Sequence, residues 1–392
     1  MAIPTNPTSE LAFVLINPHT IAKSRTGGVI GRFMSRTGLD LVATRMFAPG
    51  RKLVEEYARL MLQSGNQDPK VRKLLSDYVL KSYAPDPATG LPRRVLLILL
   101  EGENAIAKVR EMAGPVMMGG GESIRDTFGD YVVDEHGHVQ YFEPAVLIGS
   151  NREETMATLK LWGRYSCSDG GLIQSTVDIC TTEPGWQRTL VVIKPDNFRF
   201  PTARPGNIID LLSRSGLRIM AAKVHRMSVV QAEEFYKPVR QVLREKMKNQ
   251  IAERAAKVLA AEFSMEIPED VKVLLTEQLG PLLGDEQFNQ IIKFMTGYYP
   301  SNCPAEDRIK EGRHKCLAMI YGGVSAVEKI RKLLGSTDPN KAQPGSVRRE
   351  FGHDIMVNAA HASDSVESAE REIAIIKVEE DLLNPWIRKY YE

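Results

Sequence analysis

The feature that most constrains this chain is that it repeats itself. Leu11-Ala-Phe-Val-Leu-Ile-Asn-Pro18 returns as Thr189-Leu-Val-Val-Ile-Lys-Pro195. Gly28-Val-Ile-Gly-Arg-Phe-Met-Ser-Arg-Thr-Gly38 returns as Gly206-Asn-Ile-Ile-Asp-Leu-Leu-Ser-Arg-Ser-Gly216, and Ser123-Ile-Arg-Asp-Thr-Phe-Gly129 as Ser346-Val-Arg-Arg-Glu-Phe-Gly352. Three matched segments in one order point to two copies of one domain, and 392 residues is a comfortable length for two. The reading divides the chain into a first domain (1–162), a linker rich in Gly, Ser, Asp and Thr (163–186), a second domain (187–377) and a tail (378–392). The copies differ in length at two places. The second carries about 42 extra residues between Tyr236 and Arg331, an insertion at about 239–285 whose Val239–Phe263 stretch reads as a helix. The first carries about ten extra residues around Asp134–His138, read as an extended hairpin tip.

Within the second copy, Leu190–Ile193 reads as a strand, and Ile208, Ile209 and Leu212 form a helical face stopped by Gly216. Leu217–Val224 and Cys316–Tyr321 read as strands, Val324–Leu334 as a helix ended by Gly335, and Ile355–Asn358 as the last strand. That order is βαββαβ: an α+β, ferredoxin-like domain, present twice, with helices packed on an antiparallel sheet.

Charge then removes several functions. Lys and Arg number 51 against 49 Asp and Glu, a formal charge of +2, so no basic field exists to hold a nucleic acid and none is expected as a specific partner. The longest aliphatic run, Val95–Leu100, is far short of the ~20 residues of a membrane span. The start shows no basic-then-apolar leader, and four cysteines without a Cys-x-x-Cys pair read as reduced thiols, so a cytoplasmic protein is expected. His136 and His138 lack companions at ligand spacing, and no metal site is expected there.

The chemistry concentrates near the end of the second copy, in Asn358-Ala-Ala-His361-Ala-Ser-Asp364-Ser-Val-Glu367-Ser-Ala-Glu-Arg-Glu372-Ile373. Asp364 and Glu367 resemble a capping box, which places His361 just ahead of a helix N-terminus where an anion is favoured. A neutral imidazole there can attack phosphorus. Glu372 would orient the ring only if folding brings the two together. Phosphoryl transfer needs positioned cations and donors around the moving group. Lys194 at a strand end, Arg331 late on a helix, Arg348 in a turn and the Thr337 hydroxyl are the candidates.

These residues carry a resemblance. Ile193-Lys-Pro-Asp196, Arg331-Lys-Leu-Leu-Gly-Ser-Thr337-Asp-Pro339, Pro344-Gly-Ser-Val-Arg348 and Asn358-x-x-His361-x-Ser363-Asp-Ser together resemble the nucleoside diphosphate kinase family. The resemblance implies a phosphotransferase that moves the γ-phosphate of a nucleoside triphosphate to a diphosphate, ping-pong, through a phosphohistidine at His361. It implies Glu372 as the orienting partner, and Lys194, Arg331, Arg348 and Thr337 as phosphate contacts. Asn358 would reach the ribose and phosphate side, and Tyr236 would line the catalytic pocket. The metal implied is magnesium, held mainly by nucleotide phosphates. Three departures stand out: Ala362 where the family has Gly, Gly322-Gly323 where it has Glu-Gly, and Gln287 near the base-stacking position, with Phe288 beside it as the substitute.

The first copy resembles the same family in degenerate form. It keeps Tyr57, Arg110, Arg125 and Glu101-Gly102, but has Asn17 for the lysine, Val116 for the threonine and Ile148 at the histidine position. Its implied use is structural. Family domains pair and then build rings, so a duplicated chain would pair internally and three chains would imitate a hexamer. The rival reading is a nucleotide-binding regulatory or scaffolding pseudoenzyme with little turnover.

Overall fold

The computed structural model describes residues 9–63, 68–117, 121–136 and 139–392, with the side chains of 249, 250 and 252 left aside. The first copy runs β1 (Ser9–Ile16), α1 (Pro18–Ala22), α2 (Thr26–Thr37), β2 (Asp40–Phe47), α3 (Arg51–Gln63), α4 (Pro69–Ser82), β3 (Val95–Glu103) and α5 (Ala105–Ala113). It continues through α6 (Ile124–Phe128), β4 (Asp130–Val133), β5 (Val139–Glu143), β6 (Val146–Ile148) and α7 (Arg152–Arg164). The second copy repeats the pattern: β7 (Trp186–Ile193), α8 (Arg204–Ser213), β8 (Arg218–His225), α9 (Val229–Phe263), α10 (Glu269–Thr296), β9 (Cys316–Val324) and α11 (Ala326–Leu334). It ends with α12 (Val347–Phe351), β10 (Ala360–Ala362), α13 (Val366–Ile376) and α14 (Leu383–Tyr391).

Two four-stranded sheets have the same topology, β2-β3-β1-β6 and β10-β7-β9-β8. Registers match as well: Ile16 pairs with Leu96 across β1–β3, and Ile193 with Leu317 across β7–β9, both antiparallel. This is the expected ferredoxin-like α+β fold, twice. The first helices stop where expected, with Gly38 and Gly216 in the left-handed region at φ 68° and 70°.

Two compact units emerge, and their division crosses the second copy. One comprises residues up to His225 together with Leu317–Glu392; the other is Arg226–Cys316. Within the first unit, α2 meets α8 at backbone distance. A Cβ on Gly27 would fall 2.4 Å from the Gly206 carbonyl oxygen, and one on Gly206 2.3 Å from that of Gly27. Val29, Ile30 and Phe33 join Ile208, Ile209 and Leu212 in one buried cluster, so the two copies share a core. The linker binds them further. Gly171 N–H donates to Met46 on β2 and Ile173 N–H to Met220 on β8, and Arg94 holds Asp178 through a paired salt bridge.

The tail is built, too. Leu383, Ile387 and Tyr391 of α14 are buried against the first copy's core, and Tyr391 donates to the Leu11 carbonyl. Arg45 on β2 donates to the carbonyls of Glu379 and Glu380, anchoring the approach to that helix.

In the second unit the insertion is not an added helix. The first copy already has a helical pair, α3–α4, of 13 and 14 residues; α9 and α10 are the lengthened counterparts at 35 and 28. Both arms grew. They stay close because Gly280 and Gly284 face α9, where a Cβ would meet Lys248 and Arg244 at 2.6 Å, and Asp285 pairs with both Arg240 and Arg244. Among the described residues no helix is long and apolar enough to cross a membrane. The hairpin expected around Asp134–His138 is β4–β5; His138 itself lies outside the described residues.

Candidate functional site

His361 sits in the middle of β10, paired opposite Val192 on β7, and not in a loop before a helix. The segment expected as the last strand, Ile355–Asn358, is instead a turn around Asp354, whose carboxylate accepts from the Met356 and Val357 amides at 2.8 Å. Three residues of strand follow, too few for an alternation to be read in sequence. The helix cap also moves: Ser365, not Asp364, caps α13 by accepting from Ser368 N–H.

The short strand and the helix after it fold back so that Glu372, two turns into α13, meets the imidazole. His361 Nε2 lies 2.9 Å from Glu372 Oε2, and Glu372 is 5% exposed. Ser363 Oγ donates to the same oxygen at 2.7 Å, a contact that sequence reasoning missed. Its signal was the Ser two residues after the histidine, the spacing at which an extended chain returns a side chain to the same side. A carboxylate only accepts, so this contact puts the ring proton on Nε2 and the ring's basic lone pair on Nδ1.

Lys194 ends β7. Its ammonium donates to Asn358 Oδ1 at 2.7 Å and to the Met356 carbonyl at 3.2 Å. Burial, reinforced by the Arg348 guanidinium, lowers it to about 8. Asn358 is 2% exposed and also donates to the Thr337 carbonyl at 3.1 Å. Arg348 donates to the carbonyls of Gly335 and Ala360 and approaches Thr337 Oγ1 at 3.5 Å. Ala359, between Asn358 and the histidine strand, takes φ 68°, and its carbonyl receives Lys194 N–H and Asn197 Nδ2. A non-glycine residue held there costs about 1–2 kcal/mol, and those two bonds hold it.

Lys194, Thr337, Arg348 and Asn358 are therefore linked by hydrogen bonds, with Arg348 reaching the carbonyl of Ala360, next to His361. Arg331 lies exposed in the last turn of α11 and helps Ser368 hold the Asp364 carboxyl low. Tyr236 and Phe288 belong to the second unit. Tyr236 is buried on α9 edge-on to Phe235, ring centroids 4.9 Å apart. Phe288 is 4% exposed under the Arg240 guanidinium, 5.4 Å from its ring, so that face is already covered.

The first copy has the same frame and a different filling. Asn17 N–H donates to the Ala145 carbonyl as Lys194 N–H does to Ala359, and Ala145 has φ 59°. Arg125 donates to Gly114 as Arg348 does to Gly335. The register corrects one assignment: Ile16 faces Val146 as Ile193 faces Ala360, so Leu147, not Ile148, occupies the histidine's rung. A slip of one residue exchanges the faces of a strand. Counting from the caps Asn151 and Ser365, Thr158 stands for Glu372. Leu147 is 1% exposed in a cluster with Tyr57, Tyr83 and Trp162. Asn17 donates to Glu143 and accepts from Tyr83, and Tyr78 also donates to Glu143.

The family model described as nucleoside diphosphate kinase matches residues 187–271 and 281–382. A nucleoside diphosphate kinase from Helicobacter pylori is 30% identical over 196 residues, covering 50% of this chain and 98% of that protein. One from Campylobacter hominis is 30% identical over 188 residues, covering 48% and 93%. A solved NDP kinase from Pyrobaculum aerophilum aligns at 26% identity over 48% of this chain and 94% of that one, with TM-score 0.33. By its second copy, this chain belongs to the nucleoside diphosphate kinase family.

Proposed function

We propose that the second copy is a working nucleoside diphosphate kinase with His361 as its nucleophile. The observation that carries this is the 2.9 Å contact between His361 Nε2 and the buried Glu372 carboxylate, which leaves Nδ1 as the nucleophilic nitrogen. The Nδ1 lone pair attacks the γ-phosphorus of a triphosphate, and the bond to the bridging oxygen breaks, its electrons leaving with the diphosphate. The Nε2 proton stays on the ring, whose growing positive charge Glu372 stabilises. A second diphosphate then takes the phosphoryl group through a terminal oxygen, restoring the neutral imidazole. Lys194, Arg348, Thr337 and Asn358 supply the positive charge and donors that a metaphosphate-like transition state requires. The nucleotide enters as its magnesium complex, the metal belonging to the substrate's phosphates.

We infer further that internal pairing leaves three chains to build what six single domains build elsewhere, a trimer whose mass light scattering reads directly. The four free cysteines support a cytoplasmic setting.

The test of the chemistry is incubation with labelled ATP and magnesium, without acceptor, followed by intact mass. One acid-labile phosphate per chain, discharged by added diphosphate, is the expected result. No phosphate under conditions where nucleotide binds would turn the assignment toward a regulatory pseudoenzyme.

A further inference from the structure

The hairpin that the first copy has and the second lacks does more than cover an obsolete site. Val139–Glu143 of β5 form one wall of a pocket of about 760 Å³, with α1, the end of α4 and the segments around Arg93 and Asp178 completing it. Asn17, Tyr57, Arg110, Arg125 and Leu147, the counterparts of the phosphate site, do not line it. Its size is that of a small-molecule site.

The pocket's charges sort themselves. Arg94 is paired with Asp178, Arg93 with Asp86, and Asp77 with Lys73. His19 is engaged with Tyr141 and Asp130. Two groups remain uncommitted among the described residues: the second oxygen of Glu143 and the ammonium of Lys81. Glu143 is 4% exposed, with Oε1 receiving both Asn17 and Tyr78. Lys81 is exposed on α4, one turn beyond Tyr78. The same pocket is also lined by the apolar and aromatic side chains of Leu74, Tyr78 and Phe142.

We propose that this pocket binds a small aromatic zwitterion of the amino-acid type, its ammonium on Glu143, its carboxylate on Lys81 and its ring against Tyr78 and Phe142. One free acid and one free base, in an otherwise neutralised cleft, select a ligand carrying one of each. A bare cation meets Lys81 unpaired, and a bare anion meets Glu143. Burial raises Glu143 to about 7, so an arriving ammonium also displaces a proton.

Titration calorimetry on the full-length protein tests this with three probes: L-phenylalanine, phenethylamine (no carboxylate) and hydrocinnamate (no ammonium). Saturable binding of L-phenylalanine is expected, with each truncated probe at least tenfold weaker. Lys81→Gln and Glu143→Gln should each weaken L-phenylalanine at least tenfold. Lys81 is exposed, so its variant is read even if Glu143→Gln folds poorly. Absence of saturable L-phenylalanine binding, equal affinity of the three probes, or an unchanged affinity in Lys81→Gln would each overturn the proposal.

Discussion

The two copies share strand order, register, a left-handed alanine before the last strand and an arginine on equivalent carbonyls. They differ in what stands on one rung. The second has His361 facing a buried glutamate; the first has Leu147 over Tyr57, Tyr83 and Trp162, with Thr158 in the glutamate's place. A polar pocket needs each buried group paired, and where no histidine stands opposite the carboxylate position, apolar filling of the same frame is the more stable solution. The comparison teaches that a shared strand order and register do not dictate which side chain stands on that rung. A handful of side chains on a shared strand frame decides whether that rung holds an imidazole paired with a carboxylate or an apolar side chain in a core.

The sharpest way to break this comparison is His361→Ala, which should lower triphosphate–diphosphate exchange by at least about four orders of magnitude. Exchange kinetics on the purified variant that stay near wild type would assign the chemistry elsewhere, the first copy included. Trp162→Ala asks the converse. Trp162 is fully buried and edge-on to Phe47 at 4.9 Å and Tyr57 at 5.6 Å. Its loss should cost about 3–5 kcal/mol in denaturant unfolding, while phosphorylation of His361 in the folded fraction persists.

Glu143 sharpens the contrast through pH. Its folded value of about 7 lies above the unfolded 4.5, so the folded state holds that proton more tightly. The stabilisation is full below about 4.5 and is lost as pH rises through 7, about 3 kcal/mol in all. Melting of Glu143→Gln should be flat across that window; a slope equal to wild type's would mean another group is responsible. Lys194 provides the smallest effect. With its ammonium near 8 in the free protein, kcat/KM should fall about tenfold per pH unit above that value. A profile level to pH 9 or beyond would show that Lys194 keeps its charge.

Much of this molecule was legible beforehand because duplication prints one fold twice, and agreement between copies filters out chance. Lys194 stands out in sequence at the end of an apolar strand, Arg348 in a turn and His361 ahead of a helix, while the role of Asn358 comes from the family resemblance. Where pattern and structure differ, the difference is local. Pattern points to Ile148 where the register puts Leu147, to Ile355–Asn358 where the strand is Ala360–Ala362, and to Asp364 where Ser365 caps the helix. Each is an error of one to five residues in a segment where three residues of strand give no period to detect. The insertion was legible as helix but not as the lengthening of two existing arms, since the partner of α9 lies beyond a turn that composition does not mark.

By itself, then, the sequence determined two ferredoxin-like domains, which copy carries the family's motifs, and the side chains those motifs contain, since these follow from pattern and residue type. Only the tertiary structure decided that Glu372 reaches His361, that Leu147 faces a core of aromatic rings, and that α14 returns to the first copy. It also decided that a hairpin of nine extra residues forms one wall of a pocket. Those facts depend on register and on how a chain folds back over distances much longer than one turn, and neither is written in any local stretch of residues.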